Sequence, residues 1–182
     1  KGYSLQELRE RVRQRLLTES PDHLLVVEQD AGLRELMREE LKLIVKCAVL
    51  GCAQEDLSSN PGLAIGALAV TPQHALRQVQ ALFPKDRAVI PVRYALADEP
   101  LKMIRGLRRP SVIAVVSSSG LFLNVARSLL APAMGKRHDL REVHLENERP
   151  EAARAADLIF CDTIAKRSMR STKVIHCPLL AR

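Results

Sequence analysis

The sequence predicts an α/β fold: two similar parallel-sheet lobes with an interlobe cleft, preceded by an N-terminal linker helix. Three observations carry this expectation. From residue 23 onward, short apolar segments of strand length alternate with amphipathic segments of helical spacing. Most strand segments are apolar throughout, as strands covered on both faces of a parallel sheet must be. The alternation also divides near Tyr94-Ala95-Leu96-Ala97-Asp98 into halves of similar length. Eight candidate strands also fit one open sheet, but the crossing at 94–98 favours two lobes.

Residues 4–18 read as a helix. Ser4 followed by Glu7 forms a capping box, and Leu5, Leu8, Val12 and Leu16 keep a helical spacing. The apolar stripe is narrow and Arg9, Arg11, Arg13 and Arg15 occupy other faces. Such a helix packs by one edge, or serves as a linker or dimer arm, here assigned to 4–19.

Strand 23–28 is followed by a helix over 32–45, with Leu33, Leu36, Met37, Leu41 and Ile44 facing inward, and by a short strand over 47–52. A turn or short helix over 55–60 stops at Pro61-Gly62, a third strand covers 63–70, and a helix over 72–83 starts on Pro72. Proline suits that first helical position, where no N–H is needed. The fourth strand, 87–92, contains Pro91 and is therefore expected at an edge. These elements make lobe 1, residues 22–94, to which 173–182 is expected to return.

Lobe 2, residues 95–172, repeats the pattern. A helix over 99–107 precedes an apolar strand over 111–116, the run Ser117-Ser118-Ser119-Gly120 and a helix over 121–130. Then come strand 140–145, a short helix over 150–155, apolar strand 158–161 and a basic helix over 163–169. A last strand over 173–180 is broken by Pro178.

The 182 residues carry 28 Lys+Arg, 21 Asp+Glu and a net charge of +7. That charge raises nucleic-acid binding, but residues 22–60 hold eight acids against four bases. The excess sits in Lys102, Arg105, Arg108 and Arg109, and in Lys166, Arg167, Arg170 and Lys173, clusters that solvated helix faces also explain. No Trp and 3% aromatics leave little for a base-stacking platform. No apolar run reaches the ~20 residues of a membrane helix and no signal peptide is visible, so a cytoplasmic location is expected. Cys47, Cys52, Cys161 and Cys177 lack zinc or redox spacing and lie in apolar stretches, as buried thiols do. Neither metal, cofactor nor disulfide is expected.

In parallel sheets, ligands bind beyond the carboxyl ends of the strands. Three such ends carry hydroxyls at a helix start: Thr71-Pro72, Ser117-Ser118-Ser119 and Asp162-Thr163. Helix N-termini offer free N–H groups and a positive dipole end, so these positions suit an anionic group. Arg93 adds a guanidinium just past the fourth strand. Ligand-binding candidates are therefore Thr71, Arg93, Ser117, Ser118, Ser119 and Thr163. Each hydroxyl alone is also an ordinary helix cap. Three successive serines exceed what capping needs, while Asp162 either binds an amine or caps its helix. No nucleophile elbow, zinc-protease motif or P-loop is present, so no catalytic residue is assigned. His74, near the start of its helix, reads as a surface residue.

Two resemblances bear on this. The stretch 24–36, Leu24-Leu25-Val26-Val27-Glu28-Gln29-Asp30 onward, resembles the opening of a response-regulator receiver domain. The third strand, however, ends Leu68-Ala69-Val70-Thr71 without the phospho-acceptor Asp, so this likeness implies α/β geometry without phosphoryl transfer. Over nearly the whole chain, five segments resemble the C-terminal part of certain bacterial GntR-type transcriptional regulators. They are Tyr3-Ser4-Leu5-Gln6-Glu7-Leu8-Arg9, Leu25-Val26-Val27-Glu28, Gly66-Ala67-Leu68-Ala69-Val70-Thr71-Pro72, Val112-Ile113-Ala114-Val115-Val116-Ser117 and Ala156-Asp157-Leu158-Ile159-Phe160-Cys161-Asp162.

The second resemblance implies a periplasmic-binding-like sensor that binds a small effector in its cleft, and the hydroxyl-bearing strand ends favour an anionic one. It also implies a homodimer, with DNA contacted only through an N-terminal winged helix-turn-helix. No such motif precedes residue 22, and the start at Lys1 is what a fragment or processed chain would show. The expected function is effector sensing for a transcriptional regulator. A small two-lobed α/β enzyme acting on an anionic metabolite and a non-catalytic dimerisation module are the alternatives.

Overall fold

The capping box at Ser4 is formed and starts the first helix. The Ser4 backbone N–H donates to Glu7 Oε2 at 2.8 Å, and the Glu7 N–H donates to Ser4 Oγ at 3.4 Å. This computed structural model describes residues 2–18, 21–84, 87–94, 98–169 and 173–180, without the side chains of 13–18. The expected turn residue Ser20, the crossing residues 95–97 and Arg170 lie outside that set.

Contacts divide the chain into two units, Lys1–Ala95 with Leu179–Arg182, and Leu96–Pro178. The first contains α1 (Leu5–Thr18), β1 (His23–Val27), α2 (Ala31–Lys42), β2 (Ala48–Cys52), α3 (Gln54–Ser59), β3 (Ala67–Pro72), α4 (Leu76–Gln80) and β4 (Val89–Val92). The second contains α5 (Asp98–Gly106), β5 (Val112–Ser117), α6 (Gly120–Met134), β6 (Asp139–His144), β7 (Leu158–Cys161), α7 (Thr163–Ser168) and β8 (Val174–His176). The fold class is α/β, with one four-stranded all-parallel sheet in each unit.

Both sheets use one topology. Their orders are β2-β1-β3-β4 and β6-β5-β7-β8, so each unit's first strand lies between its second and third. The central strands are buried as their composition requires: β3 throughout, and β5 from Ile113 to Ser117. In the second unit Ile113 and Val115 face a core with Ile104, Leu123, Leu130 and Phe160, whereas Ala114 and Val116 face one with Val143, Ala153, Ile159 and Ala165. Covering both faces is what admits an apolar run without polar alternation.

Pro91 stands in the edge strand β4. Outside it, Tyr3 donates its N–H to the Pro91 carbonyl at 3.1 Å and accepts from the Arg93 N–H at 2.9 Å. Leu8 and Val12 of α1 are buried within this unit.

Several boundaries differ from expectation. The third strand starts at Ala67, because Pro61–Ala64 forms a 3₁₀ turn and Gly66 has φ +68°. A Cβ on Gly66 would stand 2.1 Å from Asp22 Oδ2, so the turn requires glycine. Pro72 is the last residue of β3, not the first of a helix. It pairs in register with Val92, which keeps it extended, and a 3₁₀ turn at Gln73–Ala75 precedes α4. Helix α2 ends at Lys42 instead of 45.

Helix α6 continues past Leu130 and through Pro132 to Met134. Burial of Leu130 and Met134 outweighs the one helical N–H that Pro132 lacks, and Gly135 at φ +55° ends the helix. Residues 173–182, expected to return to the first half, divide between the two units. Val174–His176 pairs with β7 inside the second unit, and the first unit regains the chain from Leu179. There Leu180 forms an antiparallel bridge with Tyr94.

Candidate functional site at the strand ends

A sheet with the order second-first-third-fourth has its switch point between the first and third strands, where connections leave in opposite directions and a crevice opens beyond their carboxyl ends. In the second unit that point lies between Ser117 and Asp162, the sites of two sequence candidates. Ser117 Oγ donates to Asp162 Oδ2 at 2.6 Å, and the Ser118 N–H donates to the same oxygen at 2.9 Å. Asp162 Oδ1 accepts the Ala165 N–H at 2.6 Å, so Asp162 caps α7. Ser117 Oγ accepts the Ser119 N–H at 3.0 Å, and Ser119 Oγ accepts the Phe122 N–H at 3.1 Å as the cap of α6.

Ser117, Ser119 and Asp162 are buried, whereas Ser118 is half-buried with its hydroxyl 3.5 Å from Asp162 Oδ2. A Cβ added to Gly120, the first residue of α6, would meet nothing within 4 Å. Thr163, buried at the start of α7, shares a 2.8 Å hydrogen bond between its Oγ1 and Nε2 of His176 on β8. The second unit thus brings Ser117 and Ser118 onto the Asp162 carboxylate, while the Ser119 and Thr163 hydroxyls are engaged by Phe122 and His176, and Ser118 is the most exposed of the four.

The first unit's switch point is built from other residues. Thr71 Oγ1 is fully buried and donates to the Val27 carbonyl at 2.9 Å, linking the ends of β1 and β3. Beyond β1, Glu28 is buried; its Oε1 accepts the Asp30 N–H and its Oε2 the Tyr94 hydroxyl, both at 3.0 Å. Burial, followed by the nearby Glu28 charge, raises the Tyr94 phenol well above its ordinary range. Asp30 caps α2 by accepting the Leu33 N–H at 2.7 Å. Arg34 Nη1 donates to the Glu28 carbonyl at 2.7 Å. His74 is exposed and meets the Tyr94 ring edge-on, with centroids 6.2 Å apart. Arg93 donates to Glu7 Oε2 at 3.0 Å, and its side chain is 47% exposed.

The sequence missed the parts of Glu28, Tyr94 and His176. Glu28 carried a usable signal, since an acid directly beyond an apolar strand stands at a carboxyl end. Tyr94 and His176 carried none, because their partners are 66 and 13 residues away in the chain. Asp162 takes the capping role weighed for it.

All four cysteines are free thiols. Among the described residues, no group of three or more His, Cys, Asp or Glu side chains is arranged to hold a metal ion, and no helix is long and apolar enough to cross a membrane. Comparisons with protein-family models, curated proteins and solved structures found no match to this chain.

Proposed function

We propose that the chain is the ligand-sensing part of a bacterial transcriptional regulator, binding a small effector at the carboxyl ends of its parallel strands. One observation chiefly supports the reading. At the second unit's switch point, the half-buried Ser118 hydroxyl stands beside the open start of the fifteen-residue helix α6. Backbone N–H groups and the dipole of such a helix favour an anionic group, which keeps carboxylates and phosphates first among effector classes. The duplicated strand order and the likeness of five segments to GntR-type regulators add support. DNA contact belongs to a separate winged-helix domain on this reading, and homodimerisation follows from the same likeness.

Thermal unfolding in the presence of carboxylates, sugar phosphates and nucleotides tests the proposal. A ligand that binds only the folded chain adds ~2.7 kcal/mol of stability at a hundred times its dissociation constant. Stabilisation that is lost in Ser118→Ala supports the assignment. No stabilisation by any anion, or an undiminished response in Ser118→Ala, overturns it.

The hydroxyl–imidazole pair of Thr163 and His176 favours a second reading, an α/β enzyme acting on an anionic metabolite. Turnover of a stabilising anion, abolished in His176→Gln, would establish that reading instead.

A further inference from the structure

The net charge of +7 is unevenly placed along the chain, and the shared strand order allows the two units to be compared position by position. In each unit four segments of sequence lead from a helix or 3₁₀ turn into a strand. In the first unit these segments, 19–22, 43–47, 65–66 and 81–88, balance Lys46, Lys85 and Arg87 against Glu19, Asp22 and Asp86. In the second unit the corresponding segments, 107–111, 135–138, 154–157 and 169–173, hold seven bases and one acid, Asp157. Six of the chain's seven net charges therefore belong to the approaches to one sheet.

Five exposed cations stand at the amino ends of β5 and β6: Arg105 in the last turn of α5, Arg108 and Arg109 before β5, and Lys136 and Arg137 before β6. The two loops enter the sheet side by side, since β5 and β6 pair from Val112 and Asp139 onward and the Asp139 N–H donates to the Ser111 carbonyl at 3.1 Å. Lys102, Arg127, Arg141 and Arg154 of the same unit are paired with carboxylates, whereas among the described residues none of the five forms an ion pair. Of the acids at this end, Asp157 accepts the Val112 N–H at 2.9 Å, and Asp139 offsets one charge of the five. The negative ends of α5 and α6 favour one cation each, which leaves most of the cluster without an internal purpose.

We infer that this end of the second unit holds the phosphate backbone of duplex DNA. The residue types select the occupant. Four of the five are arginine, whose planar fork of N–H donors matches a phosphate. Segments 107–111 and 135–138 contain no Phe, Tyr or Trp, so they offer neither a platform for unpaired bases nor the aromatic anchor of a protein interface. Charge remains, and a duplex supplies it at one phosphate per ~1.7 Å of axis. Such a contact positions DNA without reading its sequence. It goes beyond the base-reading domain invoked above and requires neither that domain nor an effector, so the two proposals fail separately.

Fluorescence anisotropy of a labelled duplex of about 20 base pairs and arbitrary sequence tests it, with the chain titrated at salt concentrations from about 50 to 200 mM. Affinity is expected to fall with a slope of log K against log salt of about −4, the value for four to five neutralised phosphates. Arg108→Glu with Arg109→Glu is expected to weaken binding more than about tenfold. The charge-matched pair Arg9→Glu with Arg77→Glu, exposed in the first unit, is expected to change it by less than about threefold. If circular dichroism shows the first pair unfolded, Arg108→Gln with Arg109→Gln replaces it and should make the slope shallower by about 2. No binding at the lowest salt, a flat salt dependence, equal loss in the two charge-matched pairs, or an unchanged slope in the Gln pair overturns the inference. Binding of poly-glutamate as tightly as the duplex overturns it too, in favour of an acidic protein segment.

Discussion

Ser117 Oγ and Asp162 Oδ2, 2.6 Å apart, join the ends of β5 and β7 where the second sheet reverses its strand order. Thr71 and Val27 make the corresponding connection in the first sheet, hydroxyl to carbonyl at 2.9 Å. In each unit one buried side chain therefore ties the first strand to the third at the base of the switch point. The chemistry differs, because Asp162 also collects the Ser118 and Ala165 N–H groups. A hydroxyl on a carbonyl is a local brace, whereas a carboxylate serving a strand end, a loop and a helix start holds three elements.

Removing that carboxylate leaves three buried or half-buried donors without their acceptor. Asp162→Ala is expected to lower unfolding free energy by roughly 2–4 kcal/mol, and Ser117→Ala by about 1–2 kcal/mol. Urea titration of the two variants checks the order. A loss for Asp162→Ala no larger than for Ser117→Ala would show that the carboxylate does not organise the junction.

Thr71 and Ser118, both candidate ligand residues, separate in their expected effects. Thr71→Val deletes one internal hydrogen bond and should reduce stability by ~1 kcal/mol, with no change in effector affinity. Ser118→Ala should scarcely alter stability but weaken an effector bound beside α6. Paired unfolding and ligand-titration measurements decide the matter, and the reverse pattern would reassign the two residues.

The strands were legible because β1, β3, β5 and β7 are central and covered on both faces, so their apolar runs could not be mistaken for half-exposed strands. Pro91 likewise declared an edge. Pro72 misled because its preference for a first helical position is local, whereas its pairing with Val92 depends on a strand twenty residues away. Helix α6 likewise runs past the expected end at residue 130 and through Pro132, because packing of Leu130 and Met134 decides where it stops. The serine run correctly marked a strand end, but sequence could not reveal that Ser117 and Ser119 face inward. That orientation follows from Asp162 and Phe122, which the fold brings or keeps beside them.

At the start of α1, the Ser4 backbone N–H and then its hydroxyl, assisted by Arg93, hold the Glu7 carboxyl below its ordinary value of 4.5. A carboxyl with a depressed folded pKa contributes stability above its unfolded value, and the contribution disappears as pH falls through the folded one. The stability difference between wild type and Glu7→Gln should therefore be complete above about pH 4.5 and shrink on further acidification. Because the Glu7 side chain is exposed, the difference should be small and reduced by salt. A gap that widens below about pH 4 would contradict this origin.

Burial raises the Cys52 and Cys161 thiols to about 11 and Cys177 to about 12, from an ordinary 9.0. These groups stay protonated in the folded chain after their unfolded counterparts ionise, so stability should decline as pH rises from about 9. The thiolate is the reactive form, which predicts slow alkylation of all three at about pH 8, even at Cys177, which is only half-buried. Mass spectrometry of briefly alkylated native protein, set against the urea-unfolded chain, checks this. Rapid modification of any of the three in the folded chain would show that burial does not hold its thiol protonated.

Glu40 supplies the longest-range polar link described in the chain. Its buried carboxylate on α2 accepts the Leu179 N–H at 2.7 Å on Oε1 and the Leu180 N–H at 2.8 Å on Oε2, 139 and 140 residues away. Leu180 also bridges to Tyr94, whose hydroxyl reaches Glu28, so two buried carboxylates secure the segments through which the chain leaves and re-enters the first unit. Glu40→Gln keeps the shape but replaces one acceptor with an amide donor that opposes a backbone N–H. The expected cost is about 1–3 kcal/mol, concentrated at the returning segment. Amide exchange at Leu179 and Leu180 should accelerate more than exchange in β1, where the backbone ladder is unaltered. Equal acceleration at both places would assign Glu40 to general stability, while unchanged exchange at Leu179 and Leu180 would remove its role as their anchor.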